Sequence, residues 1–189
     1  RHQAEQPVTE EVTGPDRVEW QLRVASGEPL PKRQEELSIN GWAMEARLYA
    51  EDPAQEFLPS TGRLDHFVLG RGIRVDTGVE EGDRISPYYD PMIAKLIAHG
   101  RTRDEAIEAL VDTLEQVEIW PVKTNAAFLA RAAADEDFRT GEVDTAFIPS
   151  KIDSLVPAAT PADAVWNMAA EAVLASDFGG PSEAPGPRR

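Results

Sequence analysis

Residues 43–52, AMEARLYAED, decide how the chain folds. Met44, Ala46, Leu48 and Ala50 alternate with Glu45, Arg47, Tyr49 and Glu51. A period of two is that of a strand with one face in the core and the other toward solvent or a partner domain. Asp52-Pro53 ends the run. Further short strands are expected at 63–69, 73–77, 84–86 and 92–99. Turn signals at Thr61-Gly62, 70–72, 81–83 and Gly100 separate them, as in an antiparallel meander.

The period changes elsewhere. Thr102 and Glu105 have capping-box spacing before a helix whose stripe is Ala106, Ile107, Leu110, Val111, Leu114 and Val117. Residues 118–121 read as a short extended segment returning to the sheet. Asn125 then caps a second helix with Phe128, Leu129, Ala132 and Ala133 inward, ended by the acidic residues 135–137. Upstream, Thr13 caps a helix with Pro15 and Asp16 in its first turn, Val18, Leu22 and Ala25 as its buried stripe and Gly27 as its stop. Downstream, Thr160, Pro161 and Asp163 open a helix with the stripe Val165, Ala169, Ala172 and Val173, stopped by Gly179-Gly180. The tail PSEAPGPRR has no core-forming residues and is expected to be disordered.

The chain has 189 residues, no cysteine and a formal net charge of −15. Lack of cysteine excludes a disulfide scaffold, thiolate zinc and a cysteine nucleophile. The acidic balance argues against nucleic acid or an anionic membrane as partner. No run reaches transmembrane length, and the first residues do not have the form of a signal peptide. His2, His66 and His99 show no metal pattern, and the acidic groups at 51–52 and 80–83 lack calcium-loop spacing, so both read as solvated turns. Gly70 and Gly72 imitate a dinucleotide fingerprint, but Val75 stands where its third glycine belongs.

Residues 1–10, RHQAEQPVTE, carry the densest polar chemistry. In an extended segment Arg1, Gln3 and Glu5 share one face, and Pro7 ends regular pairing because it lacks an N–H. One reading is a polar, solvated edge strand. The other is a surface where a cation, an amide and a carboxylate meet one small ligand.

RHQAEQPVTE resembles the biotin carboxylase signature R-[LI]-Q-V-E-H-P-V-T-E of acyl-CoA carboxylase α subunits, most like the 3-methylcrotonyl-, propionyl- and acetyl-CoA enzymes. The resemblance continues through GWAMEARLYAEDP, FLPSTGRL, IRVDTGVEEGD, SPYYDPMIAKLIAHG, VKTN and FRTGEVDTAFI, to about residue 150. His2 and Ala4 replace the usual aliphatic residues, and Gln6 the usual histidine. The resemblance implies an α+β fold, a mainly antiparallel sheet flanked by helices. It divides the chain into residues 1–30, the end of an ATP-grasp catalytic domain; 31–150, the biotin carboxylase C-terminal domain; and 151–189, linker, helix and tail.

The resemblance also implies roles. Arg1, Gln3 and the backbone N–H of Ala4 would clamp bicarbonate, since a guanidinium fork meets a planar anion in two parallel hydrogen bonds. Glu5 would be the general base. Arg47 would face biotin's ureido oxygen and stabilise the charge that develops there, although as one more alternating charge it also reads as a solvated pair with Glu45 or Glu51. Asp90, before a proline, would orient Arg47 or simply cap its turn.

The implied parent is an ATP-dependent ligase using ATP, Mg (or Mn), bicarbonate and biotin. Its partners would be a biotin carboxyl carrier domain, a carboxyltransferase subunit and a second copy of itself. Its location would be the bacterial cytoplasm or the mitochondrial matrix. The ATP-binding glycine loop, the ATP-contacting lysines and the acidic metal ligands precede Arg1 in the family. The chain is therefore expected to be a fragment, inactive by itself, with no metal site and no bound cofactor. The alternatives are a non-catalytic docking domain of a carboxylase complex, or the same domain of pyruvate or urea carboxylase. The alanine-rich helix after residue 160 would dock the carboxyltransferase or pack back on its own domain.

Overall fold

The alternation at 43–52 becomes strand β1 (Trp42–Tyr49), with Met44, Ala46 and Leu48 buried and Arg47 exposed on the opposite face. The computed structural model describes residues 5–158, 160, 161 and 163–178, the side chains of 175–178 excepted. Two helices precede β1: α1 (Gln6–Thr13) and α2 (Arg17–Ala25). After it come β2 (Glu51–Asp52), β3 (Leu58–Pro59), β4 (Gly62–Arg63), β5 (His66–Val68), β6 (Arg74–Thr77), β7 (Arg84–Ile85) and β8 (Met92–Gly100). Then follow α3 (Arg103–Glu115), β9 (Glu118–Trp120), α4 (Ala126–Ala134), α5 (Glu136–Thr140), α6 (Phe147–Leu155) and α7 (Asp163–Phe178).

Among the described residues every strand pairing is antiparallel, and the largest sheet has the order β1-β8-β6. The fold is therefore α+β, with short hairpins around one three-stranded sheet. Central strand β8 is apolar on both faces except at Lys95 and His99. The reason for its burial is its place between β1 and β6. On one side Met44, Ala46, Leu96 and Ala98 pack against Ile107, Leu110 and Leu114 of α3 and Ala130 and Ala133 of α4. A second cluster gathers Leu48, Ala50, Leu64, Ile85, Ile93 and Val122. Thr102 caps α3 by accepting the Glu105 N–H, as its spacing predicts.

Helix boundaries near the start differ from expectation. Residues 6–13 are helical rather than extended, because Pro7 suits the first turn, where its missing N–H costs nothing. Thr13 ends that helix, its hydroxyl bonded to the Thr9 carbonyl, and Asp16 is the cap of α2, accepting the Glu19 N–H. Val18 and Leu22, expected to be buried, are 57% and 66% exposed, and α2 buries no residue. Their helical spacing is real, but among the described residues the stripe has no apolar surface facing it.

Asn125 occupies the cap position of α4 without capping it. Its side chain is drawn instead to β1, where Oδ1 accepts the Tyr49 N–H and Nδ2 donates to the Arg47 carbonyl. Asp52 is not a solvated turn residue. It is buried, and Lys123 meets it at 2.8 Å. That hydrogen bond, against burial, holds its carboxyl below the usual range.

The chain forms two units, residues 1–157 and 158–189. The second contains α7, whose Val165, Trp166 and Met168 are exposed. Gly179, Gly180 and the 181–189 tail lie outside the described residues. Among the described residues no helix is long and apolar enough to cross a membrane. Leu48 carries no exposed surface and anchors the second cluster under the polar face of β1. Leu48→Ala should lower unfolding free energy by about 2–5 kcal/mol, read as a reduced urea midpoint at unchanged m-value.

Candidate functional site

The outward face of the β1–β8 ladder carries charge because of its register. Arg47 stands opposite Lys95, which in turn stands opposite Asp76 of β6. Glu45 lies two residues from Arg47 and so on the same face. The acidic helix α1 meets this surface. Glu10 and Glu11 both reach Arg74 of β6, at 2.9 and 3.6 Å.

Glu5, just before α1, completes a closed ring of four charges. Its Oε2 accepts from Arg47 Nη2 at 2.5 Å, and its Oε1 from Lys95 Nζ at 2.6 Å. Glu45 Oε1 accepts from Arg47 Nε at 3.1 Å and lies 3.6 Å from Lys95 Nζ. Two carboxylates thus alternate with two cations.

Their environments differ. Arg47 is half exposed, at 50%, whereas the Glu45 side chain is 6% exposed and its Oε2 is buried without a hydrogen-bond partner among the described residues. An unsatisfied buried oxygen costs about 1–3 kcal/mol. Hydrogen bonding to Lys95 lowers the Glu5 pKa from its ordinary 4.5 despite the opposing effect of burial, and the Arg47 charge lowers it further. Arg47 is raised, first by its hydrogen bond to Glu45 and then by Glu5. Lys95 is raised chiefly by its hydrogen bond to Glu5.

The arrangement can hold a carboxylate ionised at neutral pH beside a guanidinium that is open to solvent. The structure brings Glu5 and Arg47 together across 42 positions of sequence. Arg1, Gln3 and Ala4 lie outside the described residues, as does His2. Asp90 does not join the ring. Its Oδ1 accepts the Met92 N–H and caps the turn, while among the described residues Arg47 is hydrogen-bonded to Glu45 and Glu5. Sequence reasoning left Lys95 and Asn125 without roles here, and named Glu45 only as a candidate partner of Arg47, a pairing the structure contains. Lys95 is the single charge in MIAKLIAHG, a signal that could have found it. Beside the ring lies a mainly apolar cavity of about 460 Å³ between β1, α4 and residues 143–148. Among the described residues no cluster of three or more His, Cys, Asp or Glu could hold a metal ion.

Residues 45–150 match the family described as "Biotin carboxylase C-terminal domain". The mitochondrial methylcrotonoyl-CoA carboxylase subunit alpha of Dictyostelium discoideum is 44% identical over 182 residues, which cover 94% of this chain and 26% of that protein. A biotin carboxylase of Halalkalibacterium halodurans is 47% identical over 154 residues, covering 80% of this chain and 34% of the relative. The chain therefore spans a quarter to a third of the length of these relatives. Its fold is similar, at a TM-score of 0.79 and 40% identity, to the Hydrogenobacter thermophilus 2-oxoglutarate carboxylase biotin carboxylase domain dimer in complex with MgADP, ADP and bicarbonate. That match covers 85% of this chain and 36% of the other.

The ring should make the docking of α1 depend on pH. A folded-state pKa below 4.5 means that the Glu5 contribution is fully present above that value and is lost as pH falls through the lowered one. Amide exchange in α1 should therefore accelerate in acid before exchange in β8 does. Because Lys95 is the largest cause of the shift, Lys95→Met should move that acceleration to higher pH.

Proposed function

Because the chain belongs to the biotin carboxylase C-terminal domain family, we propose that it works within an ATP-dependent ligase that carboxylates carrier-borne biotin in an acyl-CoA carboxylase. In this reading residues 1–30 close the catalytic ATP-grasp domain, 31–150 form the C-terminal domain, and 151–189 link it onward. The observation that carries the reading is the direct pairing of Glu5 with Arg47 on the polar face of β1.

The residues fit the chemistry. Arg1, Gln3 and the Ala4 N–H hold bicarbonate, and Glu5, ionised at neutral pH, accepts its proton. The cations that keep Glu5 ionised also limit its basicity, so its contact with Arg47 or Lys95 must loosen as the proton moves. Biotin, when bound, supplies the ureido nitrogen that receives the carboxyl group. Arg47 presents a half-exposed guanidinium to the ureido oxygen, where negative charge develops, and a preplaced cation there needs no reorganisation. ATP and Mg (or Mn) belong to the rest of that enzyme in this reading. Its partners are a biotin carboxyl carrier domain, a carboxyltransferase subunit and a second copy of the carboxylase. The matching relatives include mitochondrial and bacterial proteins, which supports a mitochondrial matrix or bacterial cytoplasmic setting.

In the full-length carboxylase, Arg47→Ala should slow carboxyl transfer to biotin by about 100-fold or more, the loss typical of an oxyanion-type contact. Bicarbonate-dependent ATP cleavage without biotin should survive Arg47→Ala better than it survives Glu5→Gln. Equal losses in both partial reactions for both variants would refute the division of roles.

A further inference from the structure

The Glu45 carboxylate is placed as no simple strand residue would be. Its side chain is almost wholly buried, one oxygen is shared by Arg47 Nε and Lys95 Nζ, and the other has no hydrogen-bond partner among the described residues. A solvated surface carboxylate would satisfy both oxygens with water, and a core position would carry an apolar side chain. Groups held at such a disadvantage occur where placement matters more than stability.

We propose that Glu45 is a positioning residue for biotin carboxylation, fixing the Arg47 guanidinium by its Nε edge so that its Nη end is free to pass from Glu5 to the reacting oxygen without the guanidinium turning. This inference rests on the role given to Arg47 above. The geometry supplies the reason. Arg47 has two carboxylates in reach, one on its own rigid strand and one before helix α1. Without Glu45 the guanidinium would be free to turn its planar fork onto Glu5 in a bidentate pair. That pair would occupy the base and the cation together. By claiming Nε, Glu45 limits Arg47 to a single Nη2 contact with Glu5, which is more readily released than a bidentate pair, and its contact with Lys95 keeps the second cation in place when Glu5 turns to substrate.

The test is a cycle of variants in the full-length carboxylase: Glu45→Gln, Arg47→Ala and the double variant. Biotin carboxylation and the melting temperature would be measured for each. Glu45→Gln should lower kcat/KM for biotin by about 10- to 100-fold, the scale of a misplaced reacting group, without lowering the melting temperature. On the Arg47→Ala background it should cost less than about twofold more, because residues that act through one another are not additive. An unchanged rate in Glu45→Gln, or the same penalty with and without Arg47, overturns the proposal. If Arg47→Ala itself leaves biotin carboxylation intact, the reading of the site fails first, and the proposal with it. Should Glu45→Gln not fold, Glu45→Asp serves in the same cycle, since it keeps the charge and shortens its reach by one methylene.

Discussion

The period of two in β1 is the constraint from which both the core and the site follow. One strand sends Met44, Ala46 and Leu48 into the apolar clusters and raises Glu45 and Arg47 on the other side. A one-residue slip against β8 would exchange the two sets, burying a guanidinium and exposing leucine. The core thereby fixes the register, and the register sets Arg47 opposite Lys95. The position of the cations is in this sense a consequence of hydrophobic packing beneath them.

An edge strand needs further restraint. β1 lies at the end of the β1-β8-β6 order, and its register is irregular between Leu48 and Tyr49. Asn125 meets the backbone there three times. Its N–H donates to the Tyr49 carbonyl, its Oδ1 accepts the Tyr49 N–H and its Nδ2 donates to the Arg47 carbonyl. An amide side chain, with donor and acceptor a fixed distance apart, suits this edge better than a hydroxyl or carboxylate would. It satisfies groups that would otherwise offer a pairing edge, and it ties α4 to the strand segment that carries Arg47.

The strands were legible because alternation and Gly-rich turns are local signals, and the cap of α3 was legible for the same reason. The start of the chain was not. Pro7 is equally compatible with the end of a strand and the first turn of a helix, and only the sheet below settles the choice. The α2 stripe has true helical spacing, but spacing cannot say whether a partner surface exists. In the site, the meeting of Arg47 with Glu5 was legible through resemblance. Glu45 read as one of two solvated partners open to Arg47, and its burial escaped that reading because burial of an outward residue depends on what covers it. Lys95 was hidden by its apolar neighbours, although its isolation among them is what makes its charge consequential.

The ring of Glu5, Arg47, Lys95 and Glu45 is a poor device for stability. Its exposed pairs are of the kind that contribute about 0–1 kcal/mol, and one buried oxygen of Glu45 has no partner among the described residues. Its value lies in how its members are mounted. Arg47, Glu45 and Lys95 stand on paired strands over packed cores, and so share one rigid frame. Glu5 stands at the start of α1, a helix that meets the sheet through Glu10 and Glu11 on Arg74 and buries only Pro7. Contacts of that kind are screened and exchangeable, whereas the cores are not. In the role proposed for it, Glu5 gives up one partner to take a proton, and it stands on the less deeply packed element, while the cations it leaves keep Glu45 as a fixed counter-charge on the strand.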